Sequence, residues 1–93
     1  MYSLLIKPTT DKIFKKMAKK NQKRLTLIFK KTQEIRQNPD HKYKFLKKPL
    51  QNFNRVHINT NFVLIFKIDH KKKVVELFFF GHYDEVYKWR PSE

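Results

Sequence analysis

Ninety-three residues make one domain with a single core and leave no room for a second lobe. Lys and Arg number 22 against 8 Asp and Glu, a formal net charge of +14, which points to a polyanionic partner: nucleic acid, a ribosome, an anionic membrane or an acidic protein. Hydrophobic residues at 40 % exclude general disorder, and the absence of cysteine excludes disulfides, thiolate zinc sites and cysteine nucleophiles.

The run Tyr2-Ser3-Leu4-Leu5-Ile6 predicts a first strand over residues 2–7, ended at Pro8. It is too short for a signal-peptide core or a membrane span, so a cytoplasmic protein without membrane contact is expected. Thr9 or Thr10 is the expected cap of a helix whose positive end Asp11 favours, with Ile13, Phe14 and Met17 at helical spacing among lysines. Asn21 interrupts, and a second helix runs to about Gln37 on Leu25, Ile28, Phe29, Thr32 and Ile35 until Asn38-Pro39-Asp40 stops it. Residues 40–50 read as an irregular connection anchored by Phe45, Leu46 and Leu50.

From about Phe53 the period becomes two, with Arg55 and His57 on one face of a strand and Val56 and Ile58 on the other. Asn59-Thr60-Asn61 turns the chain into the apolar strand Phe62 to Ile68, and Asp69-His70-Lys71-Lys72 turns it again into Val74 to Phe80, ended by Gly81. Runs with almost no polar break predict central strands covered on both faces. The expected fold is α+β: two N-terminal helices packed on a twisted antiparallel sheet of about four strands, residues 1–93 forming a single domain.

The carboxylates are scattered apart from Asp84-Glu85, the four histidines lack metal-ligand spacing, and one glycine cannot make a phosphate loop. No metal and no cofactor is therefore expected. What remains is metal-free RNA cleavage by the substrate's own 2′-hydroxyl, which asks for a base, an acid and cations around the phosphate. Imidazole, with an ordinary pKa near 6.5, both takes and gives a proton at neutral pH. His57 and His82 with Arg55, Lys48, Tyr83 and Tyr87 are the matching chemical types, and nearby aromatics suit an unpaired base. The plainer reading is two surface histidines on a basic binding domain. His41 and His70 read as solvent-facing turn residues.

The stretch NRVHINTNFVLIFKIDHKKKVVELFFFGHYDEVY resembles the RelE/ParE superfamily of bacterial and archaeal toxins, and within it the YafQ branch of mRNA endonucleases. The likeness lies in His57 ahead of the Phe62 to Asp69 strand, in His82 and Tyr87 after the last strand, and in KKPLQ, which places Lys48 where that branch has a histidine. It covers nearly the whole chain as architecture and residues 47–87 by motif. It implies an α+β microbial-RNase-like fold and a type II toxin cleaving mRNA on the 70S-type ribosome, held silent by a cognate antitoxin. His57 is then the base and His82 the acid, with Arg55 and Lys48 on the phosphate. Phe62 and Tyr87 shape the base pocket, beside Asn61, Lys47 and Lys44 as RNA contacts. Three departures stand out. Val63 replaces a middle-strand arginine, Asn61 replaces an acidic residue, and His82-Tyr83 replaces a second arginine, as in the YoeB branch. The alternatives are a ParE-like DNA gyrase inhibitor and a catalytically inactive basic RNA-binding domain.

Overall fold

Pro8 starts the first helix, since its fixed φ and missing N–H suit the first helical position. In chain order the elements are β1 (Ser3–Ile6), α1 (Pro8–Lys20), α2 (Gln22–Gln37), β2 (Asn54–Ile58), β3 (Phe62–Asp69), β4 (Val74–His82) and α3 (Tyr83–Val86). The structure, a computed structural model, describes residues 1–91. Neither threonine caps α1. Lys7 holds the cap position without a side-chain bond, while Thr10 is buried and its hydroxyl donates to Leu77 O at 3.2 Å. Asn21 interrupts the helices as expected and starts the next one, its Oδ1 accepting from the Arg24 N–H at 3.0 Å.

The sheet order is β1-β4-β3-β2. β2, β3 and β4 form the expected antiparallel meander, but β1 runs parallel to β4, so the sheet is mixed rather than wholly antiparallel. A parallel neighbour requires a long crossover in place of a tight turn, and the two helices lie within that crossover. Four residues, three of them apolar, carry no mark of strand direction, which is why only the structure shows it.

Both faces of the central strands are covered. On one, α1 and α2 bury Phe14, Ile28 and Ile35 against Leu64, Phe66 and Leu77. On the other, Leu46, Leu50, Phe53, Val63, Ile65 and Val86 make a second core, roofed by the segment before β2 and by α3. Leu46 and Leu50 are the anchors expected, but Phe45 is 59 % exposed. Residues 44–46 lie extended along β2: the Leu46 N–H donates to Phe53 O and the Arg55 N–H to Lys44 O, both at 2.9 Å. Neighbouring side chains of an extended segment point opposite ways, so burying Leu46 turns Phe45 out.

A register shift interrupts the β3–β4 ladder. Ile65 lies opposite Phe79 and Phe66 opposite Leu77, which leaves Phe78 as an extra residue. Phe78 and Phe79 therefore both pack on the second core, and every later residue of β4 faces opposite to what unbroken alternation gives. The strand continues through Gly81 to His82. A Cβ at position 81 would stand 2.9 Å from Phe79 Cε2, so a close ring contact accounts for the glycine.

Candidate active-site groove

β2 is an edge strand, and its outward residues on the helix-free face are Arg55 and His57. With Lys47, with Tyr83 from α3 and with Tyr87 just past its end, they line a groove of about 260 Å³ floored by Leu46, Val63 and Val86. Among the described residues no carboxylate lines it. The Arg55 guanidinium reaches His57 Nδ1 at 3.5 Å, the outer limit of a hydrogen bond, and because a guanidinium only donates, Nδ1 is the accepting nitrogen of that contact. His57 is exposed at the rim, and Val63, expected as a departure from a family arginine, is buried floor.

The pairing of His57 with His82 around one phosphate is not formed. His57 lies opposite Val63, and Val63 opposite Gly81, so these three share the groove face. His82 lies opposite Phe62 and turns to the helix face, where its ring meets the Phe62 edge at 5.7 Å. The extra residue Phe78 is the cause, because it shifts the side of everything after it. His82 has structural work instead. Its Nδ1 accepts from the Asp84 N–H at 3.2 Å while its own N–H donates to Glu85 Oε1 at 3.0 Å, a reciprocal cap on α3. Its ring also lies against Tyr83, centroids 4.7 Å apart.

Phe62 is not in the groove either. The Arg24 guanidinium stands 3.9 Å over its ring, which is stacked with Phe80 at 5.5 Å. Lys48 lies outside the groove lining, and Lys44 lines an adjoining hollow with Arg55 and His57. Asn61 acts through its backbone, its carbonyl accepting the Tyr83 N–H at 2.9 Å and so fixing where α3 begins. In the sequence Leu46 reads as an apolar anchor and Val63 as a replaced arginine, while nothing marks Val86. They do fill the core, and their upper surfaces form the groove floor.

No protein-family model matches the chain. Over 88 residues, 95 % of this chain and 93 % of the relative, it is 48 % identical to a Methanocaldococcus jannaschii protein whose name places it with the RelE toxins, as RelE4. The chain belongs to the RelE/ParE toxin superfamily. A Methanosarcina mazei protein described as uncharacterized is 46 % identical over 94 % of this chain and all of its own length. Among solved structures, the RelE-type fold matches a metal-bound toxin from Helicobacter pylori with a TM-score of 0.78, at 22 % identity over 92 % of this chain and 99 % of that one. It also matches a free mutant of E. coli toxin RelE at a TM-score of 0.72, with 19 % identity over 94 % of this chain and 90 % of that one. At such identities the likeness speaks for the fold. Among the described residues of this RelE-type chain, no three His, Asp or Glu side chains group as a metal site would require, and no helix is long and apolar enough to cross a membrane.

Proposed function

We propose that this RelE-type toxin cleaves mRNA on the ribosome by metal-free transesterification in the groove of Arg55, His57, Lys47, Tyr83 and Tyr87. The observation that carries the reading is the meeting of an imidazole, two cations and two phenols in one pocket without a carboxylate. In the reaction the 2′-oxygen bonds to phosphorus and the P–O5′ bond breaks, giving a 2′,3′-cyclic phosphate and a 5′-hydroxyl. His57, at the β2 side, takes the 2′-proton. A phenol at α3, from Tyr83 within it or Tyr87 just past it, supplies a proton to the departing oxygen across the groove and recovers it from the imidazolium through solvent. Arg55 and Lys47 hold the charge that builds on the phosphorane. This one-histidine arrangement replaces the two-histidine scheme expected from the YafQ-like motif.

A cytoplasmic protein with this activity needs a silencing partner. A cognate antitoxin of acidic character suits the +14 charge. The RelBE2 structure from Mycobacterium tuberculosis, a toxin–antitoxin complex, has a similar fold at a TM-score of 0.70, which supports such a partner.

Primer extension on cellular mRNA after inducing wild type and His57→Ala tests the reading. Cuts present with the wild type should fall at least about a hundredfold in the variant, the scale of losing general acid–base help. Growth arrest with intact transcripts would instead favour the gyrase alternative.

A further inference from the structure

The groove does not end at β2. Arg55 and His57 also line a second hollow, about 390 Å³, with Lys44, Lys42 and His41. Lys42 and His41 in turn line a third, about 530 Å³, which reaches Phe45, Asn52 and Lys67. Shared walls make the three hollows neighbours along the β2 edge, and among the described residues no Asp or Glu lines any of them. Glu34 and Asp40 line a hollow on the α2 side that adjoins the third at Pro39, His41 and Tyr43, and Glu34 lines a further one with His57.

Phe45, at the far end, is the most exposed aromatic ring among the described residues at 59 %. Its backbone is fixed on either side by bonds to Phe53 and Arg55, and it pairs with Asn54, which alternates away from Arg55 and His57, so the track turns over the β2 edge to reach the ring. The core makes little use of the ring. It lines the third hollow together with Lys42, Lys67 and Asn52, while the Lys67 ammonium itself stands 4.4 Å over the Phe53 ring. Such a set suits an unpaired nucleic-acid strand, whose bases stack on rings and whose phosphates follow cations.

We infer that these hollows form one track for the single-stranded RNA flanking the scissile phosphate, with Phe45 stacking a base beyond the cleavage groove. The inference rests on the groove being the RNA-cleaving site. An acidic protein segment would meet the same cations, but the continuity with the groove through Arg55 and His57 favours RNA.

Fluorescence anisotropy of the full chain with 2′-O-methyl single-stranded RNA, which binds without being cut, tests the track. Wild type should bind a nonanucleotide more tightly than a trinucleotide. Phe45→Ala should erase roughly a five- to hundredfold gain, the worth of one stacked base. It should leave trinucleotide affinity unchanged, and Phe45→Trp should keep the gain. Wild-type affinity for the nonanucleotide in Phe45→Ala overturns the track, as does equal loss on both lengths. Weakened binding of a polyglutamate peptide with unchanged RNA affinity overturns it in favour of a protein partner. The groove reading fails separately if trinucleotide affinity is indifferent to Arg55→Ala, and absence of RNA binding at either length overturns both.

Discussion

His82 shows how one side chain changes meaning with its surroundings. A histidine near the end of the last long strand reads as a candidate acid, and that residue type is visible in the sequence. Its use of Nδ1 as a helix cap is not, because the cap depends on where Asp84 and Glu85 turn. His82→Ala should lower stability by about 0.5–2 kcal/mol, the usual worth of a cap, and loosen Tyr83 and Tyr87. His82→Asn, which caps without titrating, should recover both stability and mRNA cleavage. Denaturation midpoints beside cleavage assays decide the matter, and a stable but inactive Asn variant would return His82 to the chemistry. Tyr43 gives a second test. Burial first, and the charge of Glu34 second, raise its pKa above the usual tyrosine value, while its hydroxyl donates to Asn38 O at 2.9 Å. The folded state therefore favours the neutral phenol. This contribution is fully present below the unfolded value near 10 and is lost as pH climbs through the higher folded one. Between about pH 9 and 11, wild type should lose more denaturant resistance than Tyr43→Phe. Parallel losses in the two proteins would refute that assignment.

At the level of elements, helices and central strands were legible because periodicity is a local property. The stop at Asn38 and the break at Asn21 follow from side chains that bond their own backbone. The direction of β1 and the register shift at Phe78 are not local. They are set by which strand lies alongside and how aromatic rings fit the second core. One extra residue was enough to separate two histidines that plain alternation places on a common face. Gly81 belongs to the same packing, and Gly81→Ala should cost about 1–3 kcal/mol because Phe79 must move. Thermal unfolding measures it directly, and an unchanged midpoint would mean that the ring yields freely.

For the molecule as a whole, the charge excess read from composition points to a polyanionic partner without saying where on the surface one would sit. Along one sheet edge the structure gathers three hollows whose lining, among the described residues, holds no carboxylate, which no count of lysines reveals. If six to ten phosphates are neutralised there, RNA affinity should fall roughly a thousandfold or more between about 50 and 200 mM salt. A flat response in a titration would argue against a phosphate-tracking surface. The legible part of the site was its residue types, Arg55, His57, Tyr83 and Tyr87, since chemistry is written in side chains. Their grouping waited on distant pairings. The parallel seat of β1 beside β4 carries one more consequence, for the birth of the chain. The first strand made has its partner more than sixty residues downstream, since Ser3 matches Val74. Until that partner emerges from the ribosome, the sheet lacks its closing strand and α3 has no floor to rest on. Synthesis order thus acts as a built-in safety catch: an unfinished copy lacks Tyr83, Val86 and Tyr87 and cannot assemble the groove.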